Sequence, residues 1–343
     1  MRKSLIALIS LAAAAAAPAI AETYKVIAPM PPEAEGTLAR IMSFGSGAII
    51  DSVLVKDKAA RFKGQIDEPV LAVVQFGSSS SNPFILEPGT ISFNDRGEGA
   101  FGSMLNDQLR DIVRQYRSLQ EQFGTAADDA ARSVVMARYT ALTDSVVNAN
   151  TDNPLGYYIF ISGNNINAMS SAELEAAFKK YPYFAGYQYS DMLLDNVRKR
   201  EATQPGHKFV DFSITQPDGT VKSLSDYAGK GKYVLVDFWA SWCGPCIRQT
   251  KVLKQIQEKY KDDPRLQILG VAVWDKVEDT RRAISQHGLT WDCIVDAQSV
   301  PTDLYAITGI PCIMLIGPDG TILSRDKQGD ELIADVDAAL QAK

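Results

Sequence analysis

Cysteine and histidine are scarce in this chain: four of the first and two of the second in 343 residues. Four cysteines cannot staple a chain of this length into a disulfide scaffold, so an apolar core has to hold the fold. Clusters of lysine and arginine are missing too. With a formal net charge of −6 and no basic patch to offset it, nucleic acid is not an expected partner. No internal repeat is present, and no cysteine follows the apolar N-terminal run, so a lipoprotein anchor has no support. What remains is the composition of a soluble globular protein, 46% hydrophobic and 22% charged, long enough for two or three domains.

Residues 1–21 read as a secretory signal peptide. Arg2 and Lys3 form a basic start, SLIALISLAAAAAA an apolar core, and Ala19-Ile20-Ala21 the small-x-small pattern of a cleavage site before Glu22. A membrane anchor is the competing reading; Pro18 and the alanine-rich content make it a weak span. Cleavage would leave the mature chain in the periplasm, where disulfides persist.

Residues 22–98 are expected to form an all-β, sandwich-like domain. The runs YKVIA, TLARIMSF, AIIDSVLV, ARFKGQI, PVLAVVQFG and PFILEPGTISF are short and rich in β-branched and aromatic residues. Between them lie Gly, Pro, Asn and Ser clusters, and SSSSN (78–82) reads as a plain loop. From Gly99 the period turns helical: Leu105, Leu109, Ile112, Val113, Tyr116, Leu119 and Phe123 recur on one face, then Val134, Val135, Tyr139, Leu142 and Val146. Residues 99–203 are therefore a helical region ending in a linker, Glu201 to Phe209, and a possible surface for a homodimer. Within it, the aromatic stretch Tyr181 to Tyr189 fits packing better than a ligand surface. Residues 204–343 alternate strand and helix: a hairpin at Pro217-Asp218-Gly219, the buried strand YVLVDFWAS, a helix Pro245 to Tyr260, the strand LQILGVAVW, a helix stopped by Gly288, the strand WDCIVD, a short helix PTDLYAI, a hairpin at Pro318-Asp319-Gly320 and a final helix.

Half of the cysteines stand in one place, Cys243-Gly244-Pro245-Cys246, straight after the buried strand. A C-x-x-C at the head of a helix has direct chemical consequences. Unpaired N–H groups and the positive end of the helix dipole favour thiolate at Cys243. Such a thiol falls from ~8.5 into a range of ~3.5–7.5, and the thiolate is the attacking species. Pro245 suits the first helical turn, where its missing N–H costs nothing. Gly244 leaves room for another protein's sulfur. Cys246, one turn in, can close a ring with Cys243. In the cycle this suggests, Cys243 attacks a substrate disulfide and Cys246 resolves the mixed disulfide. Asp237, the only acidic residue of YVLVDFWAS, is the candidate base: burial should raise its proton affinity toward neutrality. The alternatives are a satisfied structural acid at Asp237, a permanent Cys243–Cys246 bridge, and a zinc site built from the four cysteines with His207 or His287. The last has poor spacing. No cofactor and no metal are expected.

The segment VDFWASWCGPC resembles the active site of thioredoxin-fold proteins, and GIPCIMLIGPDGTIL resembles their cis-proline strand and hairpin. The likeness runs over 204–343 and, with the added strands and LTWDCIVD, points to the periplasmic ResA/TlpA-like branch that is grouped with AhpC/TSA proteins. It implies an α/β thioredoxin fold at the C-terminus, Trp242, Gly244 and Pro245 shaping the site, Asp237 as the buried acid, and a cis Ile310-Pro311 bond facing a redox-active Cys243–Cys246 pair. The front half is similar to an all-β domain of unknown function found before such modules in Bacteroidetes envelope proteins.

The function implied is a periplasmic thiol–disulfide oxidoreductase that reduces protein disulfides and draws electrons from a membrane donor. A thiol peroxidase is the enzymatic alternative. It needs Thr or Ser three residues before its cysteine, and Ala240 and Cys243 stand there instead. An envelope binding or scaffold protein with an accessory redox domain is the other. Cys312, directly after Pro311, is either a third redox thiol or a small buried residue turned away by strand alternation. Cys293 is expected to be a core thiol, and a Cys293–Cys312 bridge would need strands that the resemblance keeps apart.

Overall fold

Tyr24, Val26 and Ala28 are buried along β1 (Glu22–Pro29) while their neighbours face out, the two-residue period of a sheet with one wet face. The strands that follow are β2 (Leu38–Ser43), where Ala39 and Ile41 repeat the alternation, β3 (Ile49–Leu54), β4 (Ala59–Ile66), β5 (Val70–Phe76), β6 (Ser79–Ser80), β7 (Phe84–Leu86), which is buried throughout, β8 (Gly89–Phe93) and β9 (Ala100–Phe101). The computed structural model describes residues 22–94, 99–163, 166–185 and 187–341. The expected signal peptide, residues 1–21, lies outside them. Among the described residues, no helix is long and apolar enough to cross a membrane.

The chain divides into two compact units, one of residues up to 166 with 178–189, the other of 167–177 with 190–343. In the first, the strands form two sheets, β4-β1-β8-β9 and β3-β2-β5-β6, with β7 also on β5. Val26, Phe62 and Ile91 from one sheet and Ile41, Val74 and Phe84 from the other share one core. The all-β region is thus the expected sandwich. Part of the serine loop is drawn into it, since Ser79 and Ser80 pair with Phe76 and Gln75.

Helices follow: α1 (Met104–Gly124), α2 (Asp129–Ala149), α3 (Pro154–Gly163), α4 (Ser171–Lys180), α5 (Pro182–Ala185) and α6 (Gln188–Ala202). Leu105, Leu109, Ile112 and Leu119 of α1 are buried as the period predicts, but Val113 and Phe123 are exposed. On α2, Val135 is buried and Val134 is 61% exposed. Adjacent helix residues point about 100° apart, so only one of that pair can enter the core. The aromatic stretch is packing: Phe184 is fully buried, and the Tyr183 and Tyr187 hydroxyls donate to the Pro69 and Leu71 carbonyls. The start of α1 is held by Asn106. It is fully buried, accepts from Ile85 N and donates to Ile85 O and Ser103 Oγ.

The second unit contains a hairpin, β10 (Ser213–Thr215) with β11 (Val221–Ser223), and a five-stranded sheet ordered β14-β13-β12-β15-β16. In chain order these are β12 (Tyr233–Trp239), α7 (Gly244–Lys259), β13 (Leu266–Ala272), α8 (Val277–Gln286), β14 (Asp292–Ile294), α9 (Val300–Leu304), β15 (Cys312–Ile316), β16 (Ile322–Arg325) and α10 (Gly329–Gln341). β13 and β14 run parallel to β12, β15 pairs antiparallel with β12, and β16 pairs antiparallel with β15. Central β12 is buried on both faces, which explains its nearly continuous apolar sequence. Val234, Val236 and Phe238 face one core. Leu235 faces another, shared with Leu253 and Ile256 of α7 and Leu332 and Val336 of α10. The C-terminal part is the expected thioredoxin fold.

The stretch expected as a linker begins inside α6 and then pairs with the sheet. Gly206 N donates to Ile322 O, Ile322 N to His207 O, and Phe209 N to Gly320 O. Buried Arg325 donates to the Thr203 and Tyr305 carbonyls and to the Thr203 hydroxyl. Polar residues read as a connection are here the partners of a buried guanidinium, which sequence pattern does not reveal.

Replacing Asn106 by Ala leaves both polar groups of Ile85 and the Ser103 hydroxyl without their side-chain partner in a dry site. A loss of about 2–4 kcal/mol is expected, measured by urea unfolding against exposed Gln115→Ala as control. A loss no larger than the control's would show that Asn106 does not organise this helix start.

Candidate active site

β12 ends at Trp239, and the chain turns through Ala240, Ser241 and Trp242 into α7. Cys243 is the N-cap of that helix, in extended conformation (φ −83°, ψ 96°). Its sulfur accepts the Cys246 N–H at 3.2 Å. Cys243 and Cys246 are joined as a disulfide, S–S 2.08 Å. Pro245 occupies the first turn. Cys243 is 4% exposed and Cys246 fully buried. At Gly244 an added Cβ would meet only the Arg248 guanidinium, at an ordinary contact distance of 3.7 Å.

Two further segments meet this turn. The Ile310-Pro311 bond is cis, and the Ile310 carbonyl oxygen lies 3.7 Å from Cys243 Sγ. In the bridged form the sulfur has no proton to give; in the dithiol form this carbonyl is an acceptor for it. The second segment is the loop before α8. Trp242, 62% exposed, donates its indole N–H to Trp274 O at 3.0 Å. Trp274 itself stands at φ 52°, where non-glycine residues are uncommon.

Asp275, which sequence pattern did not single out, is the anchor of this arrangement. Its buried carboxylate accepts from Ser241 N at 2.7 Å, Ser241 Oγ at 2.9 Å, Thr280 Oγ1 at 2.8 Å and Lys276 N at 2.9 Å. Its placement just before α8 could have been read as a helix-start acid. The bond to Ser241, 34 positions away, could not.

Asp237 is 2% exposed, on the β12 face that carries Leu235 and Trp239. Trp239 packs with Cys243 and Cys246. Burial pushes the Asp237 carboxyl up to about 7, and its Oδ1 has no hydrogen-bond partner among the described residues. The structure thus gathers Trp242, Cys243, Gly244, Pro245, Cys246 and Pro311 at one end of the sheet, with Asp237 behind them on β12. The other two cysteines are free, and Cys293 packs against the cluster of Trp239, Cys243 and Cys246. Cys312 is buried in the core on the opposite face, and Cys293 is on β14, two strands from β12. Burial raises the thiol proton affinity of both. Among the described residues, no group of three or more His, Cys, Asp or Glu side chains could hold a metal ion.

Residues 205–325 match the AhpC/TSA family, and residues 30–108 match a domain of unknown function, DUF4369. The chain is 28% identical over 138 residues to the thioredoxin-like protein YneN of Bacillus subtilis, covering 40% of this chain and 79% of that protein. It is 30% identical over 124 residues to the thiol-disulfide oxidoreductase ResA of Geobacillus kaustophilus, covering 36% of this chain and 70% of that protein. Among solved structures, the thioredoxin domain of a thiol-disulfide oxidoreductase from Bacteroides vulgatus is 31% identical, over 39% of this chain and 96% of that domain, with a TM-score of 0.35. By the family match over its C-terminal part, and by the bonded cysteine pair at the head of α7, the chain belongs to the AhpC/TSA family as a thioredoxin-fold thiol–disulfide oxidoreductase with a β domain in front.

Proposed function

We propose that the chain reduces protein disulfides in the periplasm through the Cys243/Cys246 dithiol, as a relative of the ResA/TlpA-like branch. The observation that carries this reading is the N-cap position of Cys243: the Cys246 amide is aimed at its sulfur, and its partner cysteine is one turn deeper. In the dithiol form the same amide and the helix dipole favour the Cys243 thiolate. That thiolate attacks one sulfur of a substrate disulfide; a new S–S bond forms, the substrate's S–S bond breaks, and the other substrate sulfur leaves as thiolate. Cys246 gives up its proton and attacks Cys243 Sγ, and the second substrate sulfur leaves. Two electrons have passed to the substrate, and the enzyme holds the Cys243–Cys246 bridge.

Asp237 is the proton acceptor for Cys246 in this reading, because its buried carboxyl changes charge near neutral pH. Trp242 and the Ile310-Pro311 segment frame the approach of the substrate chain, and Gly244 adds no side chain beside the sulfur. A membrane protein returns the electrons, and the signal peptide at residues 1–21 directs export. The working division is 22–98, 99–203 and 204–343; the last cut follows the end of α6 and the start of the family match at residue 205. Val113, Phe123, Val134 and Met136, left exposed on α1 and α2, belong to the surface proposed for a homodimer.

Two outcomes are expected. Cys243→Ser should lower reduction of insulin by on the order of a hundredfold or more, whereas Cys246→Ala should accumulate mixed disulfides visible as mass adducts under non-reducing conditions. Wild-type turnover by both variants would remove the dithiol from the reaction.

The second outcome concerns pH. Folded Asp237 holds its proton more tightly than the unfolded chain does, so its stabilising contribution is full below pH ~4. It is lost progressively as pH rises through about 7. Relative to Asp237→Asn, the oxidised wild type should lose on the order of 3 kcal/mol between pH 4.5 and 8, measured by denaturant unfolding at those two values. Parallel curves for the two proteins would mean an ordinary carboxylate.

A further inference from the structure

Asp237, Gly270 and Cys293 lie in one row across β12, β13 and β14: Asp237 is in register with Gly270, and Gly270 with Cys293. Residues in register on neighbouring strands share a face, so all three stand on the side that carries Trp239. β14 is the edge of the sheet. Gly270 contributes no side chain. Cys293 is therefore the one side chain of this row between Asp237 and the open edge.

The space over Gly270 is taken from both sides. A Cβ placed there would stand 3.1 Å from Cys293 Sγ and 3.1 Å from Trp239 Nε1, tighter than side-chain carbons normally pack, and 3.5 Å from Trp291 Nε1. One polar atom at this spot, Asp237 Oδ1, is buried without a hydrogen-bond partner among the described residues, in a residue 2% exposed, while the Trp239 indole N–H stands over the glycine beside the Cys293 sulfur. Unpaired buried polar atoms are rare because water normally reaches them. Here the sulfur and the indole lean over the glycine and fill that route.

We propose that Cys293 is a positioning residue for the dithiol chemistry: its sulfur, closing with the Trp239 indole over Gly270, seals the edge of the sheet against water beside Asp237. The inference rests on the proton-acceptor role of Asp237 for its catalytic consequence only. The thiol suits the task. It is neutral at physiological pH, since burial and the nearby Asp237 push it up to about 12, and it is apolar enough to exclude water.

Other charges around Asp237 leave this assignment intact. On β13 the row has only Gly270, and on α7 the paired cysteines do not titrate while bridged. From β15 the residue in register with it is Ile313, which carries no charge; Cys312 next to it stands on the opposite face, with the Phe238 core. Beyond Cys293 lie Asp292 and Lys222; the Lys222 ammonium is held on the Cys293 carbonyl at 3.2 Å. None of these is a hydrogen-bond partner for Asp237 Oδ1.

The test compares oxidised full-length wild type with Cys293→Ser and Cys293→Val, following the Asp237 carboxyl by carbon NMR, assigned with Asp237→Asn. Serine is smaller and polar and admits water, so the Asp237 midpoint should fall by about one pH unit or more. Valine keeps the site apolar and filled and should leave the midpoint within about 0.3 unit of wild type. Cys293→Ala, which opens the same space, should follow serine and replaces it if that variant does not fold. A serine or alanine midpoint unchanged from wild type, or a valine midpoint displaced as far as serine's, overturns the proposal. The acid limb of the pH–rate profile for release of the mixed disulfide is read in parallel. If the NMR midpoint moves and the limb does not, the seal stands and the proton-acceptor role of Asp237 falls.

Discussion

One amide aimed at one sulfur organises the chemistry of this protein. The Cys246 N–H points at Cys243 Sγ because Cys243 caps α7, and only the three turn residues Ala240, Ser241 and Trp242 separate that cap from the end of β12. A helix start leaves its first amides without internal partners, and a sulfur is the acceptor provided. Whatever fixes the end of β12 and the first turn of α7 therefore fixes the electronic state of the sulfur. The Asp275 clamp on Ser241 and the Trp242 bond to Trp274 do this from one side, and the Ile310 carbonyl faces the sulfur from the other.

Position also separates the four cysteines chemically. The same element, sulfur, is set at a helix head in Cys243 and in dry surroundings at Cys293 and Cys312. Desolvation disfavours the charged form at the latter two, and nearby carboxylates at Asp237 and Asp326 oppose it further. A thiol held neutral is a poor nucleophile. The protein can thus carry two free thiols close to a disulfide without their competing for it.

What could be read from the chain follows the range of each interaction. The C-x-x-C, the Pro-Asp-Gly hairpins, the alternating strands of the sandwich and the buried run of β12 are local patterns, and each specifies its element within a few residues. The Asp275–Ser241 clamp, the Arg325–Thr203 contact and the Asp237–Gly270–Cys293 row join residues between 23 and 122 positions apart. Nothing in their local sequence distinguishes them from a helix-start acid, a surface arginine or a core cysteine. Val134 shows the same limit at short range. A two-residue apolar pair on a helix satisfies the period with either member, and only packing selects Val135.

The placement of Asp237 sets stability against reactivity. A carboxyl with an unpaired oxygen on a central strand is a poor choice for holding a sheet together, because it destabilises the fold wherever it ionises. An apolar residue in its place would extend the core of Leu235 and Trp239 without that cost. The sheet accommodates the acid because its neighbours do not respond to it: Gly270 yields the space, Trp239 and Cys293 close over it, and among the described residues no cation pairs with Oδ1. A lysine in the position of Cys293 would neutralise the charge and pull the carboxyl back toward its ordinary range. A dry row with a neutral sulfur does the opposite, and leaves the proton of Asp237 free to move near neutral pH.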